Sequence, residues 1–192
     1  PYFSQLQSAY RQHHSIETAL LATLDNIYRS SDTGKPSVLI SLDLSAAFDT
    51  IDHHILASRL YTSFGIHGTA IDWISSYLSG RSQHITVGQA CSAPTSLSTG
   101  VPQGSVLGPL FFTLYVSPIA HIINSWGIQH QQYADDSQLY ISLKGNNVSD
   151  AIACLEACLD TLRIWLCHNG LCLNPDKSES MLFGTRQRLR TF

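Results

Sequence analysis

The sequence predicts an α+β fold, because it contains one clear amphipathic helix, one clear β-hairpin and a short apolar strand. In residues 150–167 apolar side chains recur every three or four positions, which is the spacing of one helix face. Strand-like residues 129–133 and 138–143 flank a short polar turn, as in a hairpin. The apolar run 37–42 has the length of a strand. With 192 residues, of which 44% are apolar, the chain is long enough to bury a core.

The first predicted elements are a helix and a strand. Residues 15–29 carry apolar side chains at helical spacing, and Ser15 precedes them as an N-cap. A polar loop containing Gly and Pro separates this helix from the strand 37–42. Asp43 therefore stands at the C-terminal end of a strand.

The middle of the sequence predicts two helices, a strand and a loop. Gly65 breaks the first helix and Gly80 ends the second, since glycine is common where helices stop. The predicted elements are helices 51–64 and 70–78, strand 84–87 and loop 89–99.

The second half predicts another helix before the hairpin. The apolar stretch 106–123 has helical length, and Pro109 and Pro118 must lie near helix starts or kinks. The hairpin then presents Asp135 and Asp136 at its tip. Short strands over 171–173 and 181–183 follow the amphipathic helix.

Composition indicates a soluble intracellular protein with no membrane partner. No uninterrupted apolar run approaches the ~20 residues that cross a bilayer, and no signal-peptide pattern opens the chain. The number of cysteines is odd, which argues against a secreted disulfide framework and predicts reduced thiols. Nucleic-acid enzymes usually have a basic surface, whereas the net charge here is −3, to which the carboxylates of a metal site contribute.

The adjacent acids Asp135 and Asp136 are the first candidates for chemistry. Like charges at close range oppose ionisation, and a divalent metal is the usual neutraliser. Two Mg²⁺ ions suit phosphoryl transfer and prefer carboxylate oxygens, and Asp43 can supply a third carboxylate from a neighbouring strand. The alternative for the pair alone is a solvated turn.

Four segments, in this order, resemble the motifs of reverse transcriptases. They are LDLSAAFD at 42–49, GVPQGSVLGP at 100–109, YADD at 133–136 and GLCLNPDKSE at 170–179. IDHH at 51–54 and YLSGRSQ at 77–83 bring the resemblance closest to the enzymes of non-LTR (LINE-type) retrotransposons. The resemblance covers about residues 7–184.

The resemblance implies a right-hand reverse transcriptase fold. We expect residues 1–36 to be a partial fingers region with a connecting helix. Residues 37–192 would then be a palm, an antiparallel sheet backed by helices, with inserted fingers–palm segments and truncation at both ends. The missing upstream fingers motifs and thumb predict weak activity, or none, for the isolated chain.

The implied activity is RNA-directed DNA polymerisation. The enzyme would add dNTPs to a DNA primer on an RNA template, using two Mg²⁺ ions, or Mn²⁺ as a substitute, held by Asp43, Asp135 and Asp136. Copying at genomic DNA implies nuclear access, with a cytoplasmic ribonucleoprotein as the alternative location. The sequence predicts no oligomeric state.

Further site residues follow from the same resemblance. Phe48 matches an aromatic gate that clashes with a ribose 2′-hydroxyl, and a core aromatic is the alternative. Gln103 and Gly104 match positions at the incoming nucleotide and base pair, although GVPQG alone is only a turn. Tyr133, within YADD, is assigned to substrate binding, and Lys177 to the triphosphate and leaving group unless it is simply a solvated loop residue.

Two basic residues are weaker candidates. Arg81 and Arg11 are predicted to contact phosphate, and ordinary surface charge is the alternative for both. Two other functions are compatible with parts of the sequence. An RNA-dependent RNA polymerase is disfavoured by the aromatic Phe48, and an inactive or domesticated element remnant is disfavoured by the intact aspartates.

Other constellations have structural explanations. The Cys and His residues between 154 and 172 match no compact zinc module, so we predict buried thiols. His53 and His54 lack the glycine-flanked serine of a hydrolase and are predicted to begin a helix. The three tryptophans lie in apolar surroundings and are predicted to pack in the core.

Overall fold

Helices and antiparallel strands alternate along the chain in the computed structural model, which describes residues 4–143 and 147–190. The helices are α1 Ile16–Asp32, α2 His53–Phe64, α3 Thr69–Leu78, α4 Leu107–Val116, α5 Pro118–Ser125, α6 Val148–His168 and α7 Arg186–Leu189. The strands are β1 Ser37–Leu42, β2 Leu44–Ser45, β3 Ser82–Gln83, β4 Thr86–Val87, β5 Ala90–Cys91, β6 Thr95–Ser96, β7 Gln129–Tyr133, β8 Asp136–Ser142, β9 Cys172–Leu173 and β10 Glu179–Phe183. The α+β prediction is confirmed.

The chain divides into two compact units. Unit 1 comprises the residues up to Ser45 and those from Val116 onwards, and unit 2 is Ala46–Tyr115. The predicted division into residues 1–36 and 37–192 stays a prediction, since it concerns functional regions rather than compactness.

A four-stranded antiparallel sheet is the centre of unit 1. Its strand order is β10-β1-β8-β7, so β1 is paired on both sides. The predicted hairpin is confirmed as β7 and β8, with Tyr133 paired to Asp136 across the turn. A shorter pair, β2 with β9, continues from the end of β1.

Helix α1 covers one face of this sheet. Its start is the predicted one: the Ser15 hydroxyl accepts from the Thr18 N–H, and the Thr18 hydroxyl accepts from the Ser15 N–H, which makes a capping box. Ile27 packs with Leu39 of β1 and Tyr140 of β8 in a buried cluster. Burying such side chains contributes about 1.5–3 kcal/mol each, which ties the helix to the sheet.

Helix α6 buries one stripe along its length. Leu155, Cys158, Leu162 and Leu166 are buried and recur at helical spacing, which confirms the predicted amphipathic helix. The buried-thiol prediction holds for Cys158 but is wrong for exposed Cys167 and Cys172. Cys167 lies on the exposed side of α6, and Cys172 lies in the two-residue strand β9, where its side chain is also exposed.

Unit 2 contains α2, α3 and most of α4. As predicted, α2 begins at the two histidines: Asp52 is its N-cap, accepting from the Ile55 N–H at 2.9 Å. It ends at Gly65, which adopts a left-handed backbone (φ 66°). Leu56 and Leu60 are fully buried between these ends.

The segment after α3 corrects the sequence prediction. It has strands at Ser82–Gln83 and Thr86–Val87 rather than one strand over 84–87, and the predicted loop 89–99 contains β5 and β6. A two-residue turn with Gly88 in left-handed backbone joins β4 to β5, a turn chemistry typical of hairpins. All four strands are exposed, so no hydrophobic pattern marked them.

The tryptophan prediction is also partly wrong. Trp73 is 56% exposed and Trp126 is 37% exposed, so neither is a core residue. Trp73 instead stacks on Tyr77, with ring centroids 5.6 Å apart, on the outer side of α3. Apolar neighbours in sequence did not reveal that these rings lie on the solvent side of their helices.

One helical stretch has the length and composition of a membrane span. Leu107–Ser125, which includes α4 and α5, has a mean hydropathy of 1.3, and 56% of it is buried inside the protein. Core helices share these properties, so the absence of a membrane partner stays a prediction. As predicted, Pro118 is the first residue of α5, and Pro109 lies in the first turn of α4.

Candidate active site

Asp43 follows β1 directly, as the sequence predicts. Its backbone is held by the turn after β9: the Asp43 N–H donates to the Ser178 hydroxyl at 3.2 Å, and its carbonyl accepts from the Asn174 N–H at 2.9 Å. The Ser178 hydroxyl in turn donates to the Asn174 carbonyl at 2.7 Å. Asp43 is thus fixed by backbone contacts that leave its carboxylate free to act.

Asp135 and Asp136 occupy the turn between β7 and β8. Asp136 is the first residue of β8, and Asp135 precedes it in a tight turn. Ala134 adopts a left-handed backbone (φ 55°), which is unusual for an L residue other than Asn or Asp. Because Leu42 pairs with Ser137, Asp43 and Asp136 are the next residues along the two strands.

The charges of Asp135 and Asp43 act on the carboxyl group of Asp136. The pKa of Asp136 is raised, first by partial burial and then by the negative charges of Asp135 and Asp43. Asp43 Oδ2 is buried and has no hydrogen-bond partner among the described residues. The site therefore brings negative charge close to Asp136 and leaves one buried carboxylate oxygen of Asp43 without a hydrogen-bond partner among the described residues.

Two tyrosines border Asp135. The pKa of Tyr10 is raised by burial and then by the charges of Asp135 and Tyr133. Tyr133, predicted to bind substrate, is the last residue of β7 and lines a small cavity with Asp136 and Ile16. Sequence reasoning missed Tyr10, which no motif singled out.

Gln7 is the second residue that sequence reasoning missed. It forms an isolated parallel bridge with Gln132 at the outer edge of β7. Its side-chain amide is bonded to both backbone groups of Ala134, at 3.1 Å and 3.3 Å. No local pattern could have revealed a contact between residues so far apart in sequence.

Lys177 and Arg11, both predicted to contact phosphate groups, differ in what their side chains contact. Lys177 is exposed in the turn that holds Asp43, and its N–H donates to the Asn174 carbonyl at 3.3 Å. Arg11 Nη1 donates to the carbonyls of Ser4 and Gln7, at 2.9 Å and 3.0 Å. Lys177 is thus available to a ligand, whereas Arg11 braces its own segment.

In unit 2, Gln103 is positioned by Asp49. Gln103 Nε2 donates to Asp49 Oδ1 at 2.8 Å, and the Thr99 hydroxyl donates to the Asp49 carbonyl at 3.1 Å. A cavity of about 580 Å³ opens beside them and is also lined by His53 and Arg81. Sequence reasoning did not assign Asp49 this role.

The two motif glycines differ in their surroundings. Gly100 (φ 86°) lies so close to Asp49 that an added Cβ would be 2.9 Å from the Asp49 carbonyl oxygen. Gly104 (φ 76°) has open space where a Cβ would stand. Both need the left-handed backbone, and only Gly100 also needs the absence of a side chain.

Phe48 and Arg81 both contact aromatic rings of unit 2. Phe48 is half-buried and packs on Phe112, with ring centroids 4.7 Å apart and an interplanar angle of 31°. Arg81 is exposed, and its guanidinium carbon lies 5.6 Å from the centroid of the Tyr77 ring. Phe48 is therefore braced by Phe112. Arg81 Nη1 donates to the Tyr77 carbonyl at 3.5 Å, and its exposed guanidinium has further N–H groups that can reach a ligand.

The carboxylates of unit 1 suit a divalent cation by their chemistry. Mg²⁺ prefers carboxylate oxygens, and a cation would satisfy the orphaned Asp43 Oδ2 and relieve the repulsion that raises the Asp136 pKa. Across 4–143 and 147–190, however, no three His, Cys, Asp or Glu side chains are arranged as a metal-binding group. The donors fit, and their positions do not define a coordination geometry.

Comparison with known proteins assigns the family. The model of the protein family described as "Reverse transcriptase (RNA-dependent DNA polymerase)" matches residues 1–190 of the chain. The chain belongs to the reverse transcriptase family. Proteins of this family generally use divalent metal ions, in keeping with the carboxylates described above.

Curated relatives of this reverse transcriptase chain come from mobile elements of insects. It is 29% identical over 182 residues to a probable RNA-directed DNA polymerase from transposon BS of Drosophila melanogaster, covering 92% of this chain and 20% of the relative. It is 27% identical over 162 residues to a Pol polyprotein from the type-1 retrotransposable element R2 of Popillia japonica, covering 79% and 25%. The predicted resemblance to non-LTR retrotransposon enzymes is confirmed, and the chain spans about a quarter or less of these relatives.

Solved structures agree on the fold. The chain is similar to apo telomerase from Candida tropicalis lacking its C-terminal domain, with a TM-score of 0.65 and 14% identity over 92% of this chain and 36% of that one. Telomerase from Candida tropicalis in complex with a fragment of telomeric RNA gives a TM-score of 0.67 and 13% identity, covering 91% and 30%. The reverse transcriptase palm predicted from the sequence is therefore confirmed as the fold.

Proposed function

We propose that this chain is the catalytic segment of an RNA-directed DNA polymerase of a non-LTR retrotransposon. The observation that carries the proposal is the position of Asp43, Asp135 and Asp136 in unit 1: the charges of Asp135 and Asp43 act on Asp136, and Asp43 Oδ2 is buried without a hydrogen-bond partner among the described residues. The names of the curated relatives support the same activity. The substrates would be dNTPs, a DNA primer and an RNA template.

The carboxylates are proposed to hold two Mg²⁺ ions. Asp43 and Asp135 would be the shared ligands and Asp136 a supporting one. When bound, the ions supply Lewis-acid stabilisation of the triphosphate and activation of the primer 3′-hydroxyl. The chain itself contributes the rigid supports: hydrogen bonds at both backbone groups of Asp43 and a tight turn at Asp135.

Residues of unit 2 are proposed to bind the nucleotide. Gln103, oriented by Asp49, would approach the incoming nucleotide, and the open backbone at Gly104 would allow the base pair to come close. The Phe48 ring, braced by Phe112, would exclude a ribose 2′-hydroxyl. Arg81 would offer its free guanidinium donors to phosphate.

The remaining assignments concern unit 1 and the cell. Lys177 would meet the triphosphate and stabilise the leaving pyrophosphate, and Tyr133 would contact substrate beside Asp136. We propose nuclear access for the parent protein, because copying at genomic DNA requires it.

A second candidate function is a retroelement remnant that only binds nucleic acid or protein. The observation in its favour is that the side chains of the described part of the chain form no three-donor metal group. This candidate predicts folding and binding without metal-dependent synthesis.

Primer extension separates the two candidates. The assay uses poly(rA) with an oligo(dT) primer and labelled dTTP, in Mg²⁺ or Mn²⁺, on this chain and on a longer protein of the relatives' length. Asp135→Ala should abolish extension, and Asp160→Ala, which alters an exposed acid of α6, should leave it unchanged. Extension that survives Asp135→Ala would refute the assigned site. Silence in the longer protein would favour the remnant, and silence in the short chain alone would indicate that catalysis needs the additional regions.

A further inference from the structure

We propose that Gln7 is a positioning residue for the catalytic turn, an inference that rests on the proposed function. Gln7 Oε1 accepts a hydrogen bond from the Ala134 N–H at 3.1 Å, and Gln7 Nε2 donates to the Ala134 carbonyl at 3.3 Å. Ala134 immediately precedes Asp135. The amide therefore fixes the residue that sets the direction of a catalytic carboxylate.

The chemistry of the contact requires a carboxamide. A planar amide presents one acceptor and one donor side by side, which match the N–H and C=O of a single residue. Gln7 Oε1 also accepts from the Ala9 N–H at 2.9 Å, so the side chain is itself held in place. Gln7 is only 3% exposed, and water therefore does not compete for these bonds.

The turn needs such a contact because of its backbone. Ala134 has φ 55°, a left-handed conformation that its Cβ disfavours. It is also buried, at 8% exposure, so its N–H and C=O require protein partners. Gln7 supplies a bond to each, and this offsets the unfavourable conformation.

Backbone hydrogen bonds hold the segment that carries Gln7 against the hairpin, separately from the Gln7 side chain. The Gln132 N–H donates to the Leu6 carbonyl at 2.8 Å, and the Ser8 N–H donates to the Gln132 carbonyl at 2.9 Å. Arg11 braces the same segment through the carbonyls of Ser4 and Gln7. The Gln7 side chain thus reaches the turn from a backbone that is already fixed.

The functional consequence concerns metal binding more than nucleotide binding. A looser turn lets the Asp135 carboxylate sample other directions. Part of the free energy of metal binding is then used to bring the carboxylate back to the direction in which it binds the ion. Loss of the Gln7 amide should therefore raise the Mg²⁺ requirement and lower kcat, and leave the KM for dTTP nearly unchanged. A purely structural role would lower stability without shifting the Mg²⁺ requirement.

Three variants test the inference. Gln7→Met keeps the size of the side chain and removes both bonds, and Gln7→Asn keeps the carboxamide but is one methylene too short to reach Ala134. Ser8→Ala is the matched control, because it removes the Ser8 bonds to Gln131 (2.8 Å) and His14 (3.3 Å) in the same segment without touching Ala134. Each variant is made in the full chain and in the longer protein.

The first measurement is hydrogen exchange at the Ala134 amide, which requires no activity. We expect exchange about tenfold faster in Gln7→Met, as expected from losing a buried hydrogen bond, and within about twofold of wild type in Ser8→Ala. If the Ala134 amide of Gln7→Met exchanges at the wild-type rate, the proposed role of the Gln7–Ala134 hydrogen bonds is overturned. Should Gln7→Met fail to fold, Gln7→Asn decides, because it keeps a carboxamide that is too short to reach Ala134: faster exchange at the Ala134 amide supports the proposed contact, and wild-type exchange overturns it.

The second measurement is the Mg²⁺ concentration that gives half-maximal primer extension. We expect it to rise about threefold or more in Gln7→Met, with the KM for dTTP within about twofold of wild type. An unchanged Mg²⁺ dependence overturns the positioning role. A longer wild-type protein that does not extend primers refutes the proposed function instead, and hydrogen exchange then still decides whether Gln7 holds the turn.

Discussion

At the scale of single residues, the site is defined by charges that oppose one another. Asp136 lies next to Asp135 in sequence and beside Asp43 across the sheet, and its pKa is raised first by its partial burial and then by the charges of these two neighbours. The ionised form of Asp136 is therefore unfavourable in the folded protein, and this can be measured as a cost in stability.

We expect Asp136→Asn to stabilise the metal-free protein at pH 7. The folded-state pKa of Asp136 lies above its ordinary value, so its ionised form opposes folding, and this effect is present above that pKa and fades as the carboxyl protonates at lower pH. Since the side chain is largely exposed, the gain should be at most about 1 kcal/mol. Urea unfolding with EDTA at several pH values measures it.

Asp160→Asn provides the comparison, because Asp160 forms an exposed pair with Arg163. This substitution should leave the free energy of unfolding unchanged or slightly lower it. A loss of stability in Asp136→Asn at pH 7 would show that the three carboxylates do not repel one another in the folded protein.

Phe48 is predicted to set the choice of sugar. Phe48→Val removes the ring that packs on Phe112 and should raise kcat/KM for ribonucleotides relative to deoxynucleotides by about tenfold or more. Phe48→Tyr keeps the ring and should keep the discrimination. Single-nucleotide incorporation with dTTP and UTP measures the ratio, and equal ratios in Phe48→Val and wild type would make Phe48 an ordinary packing residue.

The sequence singles out the candidate metal-binding residues more readily than the residues that position them. Asp43, Asp135 and Asp136 stand out because acids beside strands are unusual and their motifs are recognisable. Gln7 and Asp49 act through hydrogen bonds to residues distant in the chain, Ala134 and Gln103. Such contacts depend on the register of the folded backbone, and no local pattern encodes that register.

At the scale of elements, the turn 100–104 shows how closely two segments of unit 2 approach each other. The Gly100 N–H donates to the Ile51 carbonyl at 2.8 Å, and the Val101 N–H donates to the Phe48 carbonyl at 2.9 Å. These bonds place the turn against the segment that carries Phe48 and Asp49. Comparing single substitutions at its two glycines, Gly100 and Gly104, therefore tests how much this close approach matters.

We expect Gly100→Ala to be much more damaging than Gly104→Ala. An alanine with a left-handed backbone costs roughly 1–2 kcal/mol at either position. Only at Gly100 would the added Cβ also lie 2.9 Å from the Asp49 carbonyl oxygen, which is too close. Gly100→Ala should thus exceed Gly104→Ala in lost unfolding free energy. Chemical denaturation of both variants measures the difference, and equal losses would mean that the two segments move apart at little cost.

Element prediction succeeded where local chemistry is strong. Ser15 and Gly65 marked helix ends correctly, because capping bonds and left-handed glycine act within a few residues. The four short strands of unit 2 were missed or misplaced, since they are two residues long and exposed on both faces. Hydrophobic alternation cannot appear in a strand that buries neither face.

At the scale of the whole molecule, one buried histidine should make folding sensitive to acid. His130 lies in β7 with 5% exposure, and burial lowers its pKa to about 4. The unfolded chain binds this proton more readily, so stability is complete above about pH 6.5 and is lost as pH falls towards 4. The slope attributable to His130 can reach about 1.4 kcal/mol per pH unit.

His130→Leu should flatten this dependence, and His84→Leu, at an exposed position, should not. Thermal or urea unfolding between pH 4 and pH 7 compares the variants with wild type. Because Asp136 acts in the opposite direction over its own titration range, the measurement is made in the Asp136→Asn background as well. An unchanged slope in His130→Leu would mean that the imidazole is protonated in the folded protein.

The parallel bridge between Gln7 and Gln132 also affects whether the protein associates with itself. A bare outer strand is a template for pairing with another chain, and β7 would be such a strand without the segment that runs along it. The residues that precede α1 therefore act as a guard against self-assembly through the hairpin that carries Asp135. A protein shortened to begin after Ala9 would expose this edge and should form oligomers or fibrils at concentrations where the intact chain stays dispersed.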